Sequence, residues 1–136
     1  MSWVADRQTT IYSRAKAILT SKLKTKYSTL YVTEDNITPT DTQFPTVYIT
    51  FLESTERGRT LEGTTINAVN MTVEVHVKTT KAQGMLVNNE VAWEVVEAFK
   101  TMGFIARMPN IPISNLDGVY ESVSRFTRLV AQGDVI

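Results

Sequence analysis

Residues 68–78 read AVNMTVEVHVK, and apolar and polar side chains alternate strictly along them. Polar or charged residues separate the apolar positions, which are Val69, Met71, Val73, Val75 and Val77. A period of two is typical of a β-strand with one buried face. We therefore predict a strand with one buried apolar face and a polar face that is exposed to solvent or covered by a polar partner.

Four further segments have the composition of strands: residues 30–32, 46–53, 104–108 and 119–131. Residues 109–112 (PNIP) should end the strand before them, because proline cannot donate to a ladder. Asp117 and Gly118 predict a turn into the last strand. Alternation is blurred at residues 124–126 of that strand, where a bulge is expected.

Two segments have the periodicity of amphipathic helices. The first, residues 3–27, has an apolar stripe of Val4, Ile11, Ala15, Ile18, Leu19 and Leu23. The second begins near Thr80, and its stripe is Ala92, Val95, Val96, Phe99 and Met102. Thr80 and Gln83 match a capping box, and Gly103 is placed to be a left-handed C-cap.

The predicted order is α-β-β-β-α-β-β in a single domain over residues 1–136. Two amphipathic helices and a mixed, mostly antiparallel sheet predict an α+β fold. We expect a two-layer sandwich with both helices on one face of the sheet.

The sequence offers no constellation for catalysis. There is no cysteine and one histidine, so disulfides, thiolate sites and two-histidine metal sites are excluded. His76 falls on the polar face of the 68–78 strand, as a solvated or interface residue. Glu90, Glu94 and Glu97 are expected to form a solvated helix surface.

No phosphate-binding or dinucleotide fingerprint follows any strand. No apolar run approaches the roughly 18 residues needed to cross a bilayer. We therefore expect no enzyme, no cofactor, no metal, no small-molecule substrate and no membrane association.

The net charge of zero conceals a basic first helix. Residues 1–28 hold six basic residues and one acidic residue, a net +5, so the remainder carries −5. The basic set includes Arg14, Lys22, Lys24 and Lys26. Opposite charges on two surfaces favour head-to-tail pairing of identical subunits. The alternatives are a solvated helix face and, less favoured because the chain is not basic overall, nucleic-acid binding.

Residues 54–67 are predicted to form an oversized loop, since hairpin loops commonly have about two to five residues. The segment contains Arg57, Gly58, Arg59, Glu62 and Gly63. Mixed charges and glycines favour a segment that orders against a partner. The alternative is a solvent loop without a role.

A series of short motifs runs along the chain: FPTVYI (44–49), ERG (56–58), LEGTTINA (61–68), VEVHV (73–77), NEVA (89–92), MGF (102–104), DGVY (117–120) and RFTR (125–128). In order and spacing, over nearly its whole length, the chain resembles the tail-terminator and tail-completion proteins of long-tailed bacteriophages.

The resemblance implies a structural virion protein of the tail–neck junction, assembled in the host cytoplasm. Proteins of this family form a hexameric ring that caps the tail tube, stops addition of tube subunits and docks the neck of the head. The partners implied are further copies of the chain, the major tail tube protein and a head-completion or stopper protein. DNA would only pass through the ring lumen.

The family's two helices on a mixed sheet are similar to the predicted layout. The 54–67 segment is then the expected tube contact. Arg57, Arg59 and Glu62 would pair with tube residues, while Gly58 and Gly63 would let the segment reshape. The basic first helix would be one face of the contact between subunits. Another head–tail junction protein, a stopper or head-completion factor, is the main alternative, and a small nucleic-acid-binding module a more distant one.

Overall fold

The computed structural model describes residues 2–36, 39–40, 43–59, 66–116 and 118–136. The elements in chain order are α1 (Ser2–Leu23), β1 (Tyr31–Thr33), β2 (Thr46–Arg59), β3 (Ile66–Thr80), α2 (Gly84–Thr101), β4 (Ile105–Leu116) and β5 (Val119–Ala131). Two helices and one five-stranded mixed sheet confirm the predicted α+β class.

The strands lie side by side in the order β1-β2-β3-β5-β4. β1 runs parallel to β2, and the other neighbours are antiparallel. β3 is thus the central strand, and its five predicted core residues, from Val69 to Val77, are all buried. The opposite side of the sheet, which carries the polar residues of β3, is called the outer face below.

One hydrophobic cluster contains buried residues of both helices and of the sheet, whose side in this cluster is called the inner face. The predicted stripe of α1 is buried except for Ile18, which packs partly buried against the cluster. At its centre Phe99 of α2 stacks on Phe126 of β5, with ring centroids 4.7 Å apart. Phe104 meets Phe99 edge-on at 5.3 Å. Aromatic pairs in these geometries stabilise a core beyond the area they bury.

A buried amide fixes α2 on the sheet. Asn88 donates to the carbonyl of Val77 at 3.0 Å and to that of Tyr120 at 3.2 Å. Its side-chain oxygen accepts a hydrogen bond from the Ser122 hydroxyl at 2.6 Å. One side chain therefore connects α2 to both β3 and β5.

The helices differ from prediction at their ends. α1 ends at Leu23, where its apolar stripe stops, and not at residue 27. Thr80 and Gln83 form the reciprocal hydrogen bonds of the predicted box, both 3.2 Å long. They close a turn before α2, because Gly84 has a left-handed φ of +78° and the helix begins only there.

Gly103 ends α2 as predicted, with a left-handed φ of +85°. The Phe104 N–H then bonds the Phe99 carbonyl at 3.0 Å, which is the six-to-one hydrogen bond of a Schellman motif.

The predicted loop over residues 54–67 is wrong at both ends. β2 continues to Arg59, and β3 already starts at Ile66, with Arg57 paired to Ala68. A shift in pairing register between Phe51 and Ser54 explains the error. Such a bulge moves later side chains out of the period-two pattern that the sequence reading relied on.

The predicted break at residues 109–112 is also wrong, since β4 runs through both prolines. β4 is an edge strand, where a missing N–H need not interrupt the ladder. Three register shifts insert extra residues into β4 relative to β5. The bulge expected at residues 124–126 of β5 is not in that strand, because β5 pairs with β3 without a register shift. The bulges lie in the neighbouring strand β4, opposite this part of β5.

Candidate functional site

The basic residues of the first helix and the turn after it are largely bonded within the chain. Lys26 Nζ lies 2.6 Å from Glu90 Oε1, and Lys22 Nζ lies 3.7 Å from Glu94 Oε2. Lys24 donates to the carbonyl of Leu30 at 2.9 Å. Three of the four named cations thus have partners in their own chain, and the pairing of this surface with an acidic neighbour stays a prediction.

Two of the glutamates of α2, which were predicted to form a solvated surface, form ion pairs with basic residues at the end of α1 and in the turn after it. Glu90 also accepts a hydrogen bond from the Tyr27 hydroxyl. The hydrogen bond from Lys26, followed by that from Tyr27, lowers the pKa of Glu90. The ion pairs fasten the end of α1 to α2, a role that the sequence reading did not assign to them.

Arg14 is the remaining cation of the predicted set. Within the described part of the chain, no carboxylate lies within ion-pair distance of it. It lines an open groove of about 430 Å³ along α1 and the end of α2. The residues around this groove, called the α1 groove below, are Arg14, Ala17, Ile18, Ser21, Lys22 and Thr101.

An acidic corner follows β1. Glu34 and Asp35 are exposed, and the N–H of Asp35 donates to the Thr33 hydroxyl at 3.0 Å, which fixes the turn. Tyr12 of α1 donates to the carbonyl of Val32 beside this corner. Burial and then the charge of Glu34 raise the pKa of Tyr12, so the acidic corner acts on that side of α1.

The predicted tube contact is only partly within the described residues. Arg57, Gly58 and Arg59 form the end of strand β2, not a loop. Glu62 and Gly63 lie outside the described residues. Arg57 and Arg59 thus belong to β2, whereas Arg14 and Lys22 belong to α1 and Lys24 and Lys26 to the turn after it.

Four titratable side chains meet on the outer face, and we call them the His76 cluster: Glu74, His76, Glu121 and Arg125. His76 Nδ1 lies 2.7 Å from Glu121 Oε2, and His76 Nε2 lies 2.6 Å from Glu74 Oε1. Arg125 Nε donates to the other oxygen of Glu74 at 2.7 Å. Each ring nitrogen of His76 therefore lies within hydrogen-bond distance of a carboxylate oxygen, one from β3 and one from β5. The histidine predicted to be solvated or at an interface is therefore a bridge between two strands.

An apolar row runs along β4 on the same face. Its members, called the β4 row, are Ile105, Met108, Ile111 and Ile113, and each has at least 40% of its surface exposed. They stand opposite Thr127, Arg125, Val123 and Glu121 of β5, respectively. Leu129, 56% exposed, adds to the row from β5. A contiguous apolar surface on an edge strand is typical of an interaction site.

Neither the His76 cluster nor the β4 row was predicted from the sequence. The polar positions of β3 were identified, but Glu121 and Arg125 join them only through the pairing of β3 with β5. The β4 row has spacings of three, three and two residues, which match no strand periodicity. The bulges of β4 bring its members to one face nonetheless.

Among the described residues no group of three or more histidine, cysteine or carboxylate side chains is arranged to hold a metal ion. None of the described helices is long and apolar enough to span a bilayer. No protein-family model matches the chain, and no curated protein sequence matches it significantly.

Proposed function

We propose that this chain is a tail terminator of a long-tailed bacteriophage. Copies of it form a ring that caps the tail tube, stops the addition of tube subunits and gives the neck of the head a docking surface. The protein acts by assembly, at the tail–neck junction of the virion, and needs neither a cofactor nor a substrate. The order and spacing of its sequence motifs support this family.

The observation that carries assembly is the β4 row. Four apolar side chains, each with at least 40% exposure, lie on an edge strand of the sheet. Removing such a surface from water is favourable, and an unpaired strand edge offers backbone donors and acceptors to a neighbour. Both features favour a chain that is covered by another protein surface in its working state.

The proposed arrangement is a two-layer sandwich in which α1 and α2 cover the inner face of the sheet. The outer face and the β4 edge then remain for neighbouring subunits. A ring of identical subunits needs two different surfaces that fit each other, because a heterologous contact repeats around the axis until it closes.

The end of the β2–β3 hairpin remains the proposed tube contact. At this end Arg57 is paired with Ala68, the last residue of β3 that also pairs with β5, and Arg59 is paired with Ile66 beyond it. Two arginines near a hairpin tip give it cationic groups that can form charge-assisted hydrogen bonds with carboxylates of a tube subunit.

The test is to add the purified chain to the polymerising major tail tube protein of the same phage. We expect tubes to stop growing at a length that falls as more chain is added, with density at one tube end in electron micrographs. Tubes that grow unchanged, together with binding of the chain to the head portal complex, would instead assign it to the stopper class. Bovine serum albumin at equal concentration is the control for crowding.

A further inference from the structure

The α1 groove has the size and the charge to accept a short acidic segment. Arg14 and Lys22 are eight residues apart on α1, which places them about 12 Å apart along the helix axis. Ala17 and Ile18 add apolar surface to the lining of the groove, and Ser21 and Thr101 add side chains with hydroxyl groups.

The groove keeps positive charge after the ion pairs of the chain are formed. Arg14 has no carboxylate within ion-pair distance in the described part of the chain. Lys22 has one, but the 3.7 Å contact with Glu94 is long and its side chain is 53% exposed. Because Glu94 Oε2 is itself buried, Lys22 stays its partner, and the three donors of the exposed Lys22 ammonium group can be shared with a second carboxylate.

The acidic corner, Glu34 and Asp35, is a segment of complementary charge. Both residues are exposed, and no basic side chain of the described residues forms an ion pair with either. Two adjacent carboxylates on a turn held by Thr33 form a compact protruding anion.

The groove and the corner lie on opposite sides of α1. Tyr12 points to the corner, whereas Arg14 lines the groove. Two residues apart in a helix corresponds to a rotation of about 200° around its axis. The corner of one chain therefore cannot enter its own groove, and the two surfaces are arranged for a contact between copies.

We propose that the α1 groove of one subunit binds the Glu34–Asp35 corner of the next subunit in the ring. This inference rests on the proposed ring and identifies which two surfaces close it. The apolar part of the lining and the small number of cations favour a short acidic protein segment over a nucleic-acid backbone, which is bound along a longer basic track.

Charge-reversal variants test the contact. Arg14→Glu alone, and Glu34→Lys with Asp35→Lys, should each weaken assembly at least about tenfold in dissociation constant, because like charges then face each other. The triple variant carrying both changes reverses both surfaces and should recover assembly to within about threefold. Lys81→Glu, an exposed charge change in the turn before α2, is the matched control.

Assembly is measured by analytical ultracentrifugation over a range of concentrations, with circular dichroism to check folding. A second readout uses the absence of cysteine from the chain. Ala17→Cys in the groove and Asn36→Cys beside the corner are combined in one chain and treated with a short bis-maleimide. A ladder of covalent oligomers is expected, and it should disappear when Arg14→Glu is added.

The outcomes separate this inference from the ring itself. If the wild type forms rings and all the reversals assemble equally well, the contact assigned here is wrong and the ring stands. If neither rings nor a cross-linked ladder form at any concentration, both alone and in the presence of tail tube ends, both the ring and the contact are wrong. Loss of duplex DNA binding on Arg14→Glu, with assembly unchanged, would overturn the contact in favour of a nucleic-acid site.

Discussion

Glu74 Oε1 and His76 Nε2 lie 2.6 Å apart on the outer face of the sheet. Both residues belong to strand β3. They are two positions apart on β3, so their side chains leave the same face of the strand. The second oxygen of Glu74 accepts a hydrogen bond from Arg125 of β5. A carboxylate with 14% of its side chain exposed thus contacts both His76 and Arg125 and joins the two strands.

Stability should depend on the charge of Glu74. Partial burial acts to raise the pKa of Glu74, but the hydrogen bonds from His76 and Arg125 outweigh it and lower the pKa. A lowered pKa in the folded state contributes stability above the ordinary carboxyl value, about 4.3, and that contribution is lost as the pH falls through the folded value. Glu74→Gln should therefore unfold at a lower temperature than wild type near pH 7, and the difference should shrink below about pH 4.

Thermal unfolding followed by circular dichroism across this pH range measures the effect. Glu97→Gln on the exposed side of α2 is the control and should show no such pH-dependent difference. A Glu74→Gln deficit that persists unchanged at acidic pH would contradict the charged role.

The hydrogen bonds of the buried Asn88 side chain should stabilise the fold. Asn88→Ala removes the partner of the Ser122 hydroxyl and leaves the carbonyls of Val77 and Tyr120 without this donor. Buried polar groups left unpaired cost about 1–3 kcal/mol, which urea denaturation should report as a lower free energy of unfolding. Asn36→Ala, an exposed change, is the control, and equal losses in the two variants would refute the network.

Gly103 should not tolerate a side chain. Its φ of +85° is left-handed, and a Cβ there would lie 3.0 Å from Nε of Arg128. Gly103→Ala is expected to lower the free energy of unfolding by about 1–2 kcal/mol, whereas Gly133→Ala meets no atom within 4 Å and should be nearly neutral. Chemical denaturation of the two variants side by side measures the difference, and a neutral Gly103→Ala would show the C-cap to be wrong.

The β4 row should matter for assembly more than for folding. Ile105→Ser combined with Ile113→Ser changes two side chains that are 57% and 41% exposed, so the melting temperature of the monomer should change little. The loss of apolar area should nevertheless raise the dissociation constant of the assembly. Light scattering after gel filtration measures this, with Leu86→Ser, 85% exposed on α2, as the control. Unchanged assembly in the double variant would remove the β4 row from the interface.

The hairpin end should be needed for tail joining. Arg57→Ala with Arg59→Ala should leave the protein folded and its assembly intact, because both residues lie at the end of β2 and neither lines the α1 groove. Complementation of a phage that lacks the gene should then give fewer infectious particles than the wild-type chain does. Lys81→Ala is the control for loss of a surface charge, and a normal yield from the double variant would rule out this contact.

Locally encoded features were predictable from the sequence. The buried stripe of α1, the alternation of β3 and the C-cap at Gly103 each depend on neighbours within a few residues. The lengths of β2 and β4 could not be predicted from the sequence, because bulges displace side chains from the two-residue period that identifies a strand.

Contacts between distant residues limited the prediction of the candidate site. Lys26 and Glu90 are 64 residues apart, and their pairing depends on how α1 crosses α2. The +5 charge of residues 1–28 could be counted from the sequence, whereas the α2 partners of Lys22 and Lys26 could not be identified from it. The same holds for the His76 cluster, since His76 and Glu121 are 45 residues apart and meet through strand register.

The mass of the assembly formed by the purified chain tests the central claim most directly. Native mass spectrometry, supported by electron micrographs, should find a closed ring with the mass of six chains. A chain that remains a 15.3 kDa monomer at every concentration, both alone and in the presence of tail tube ends, would contradict the proposal that it works as a ring.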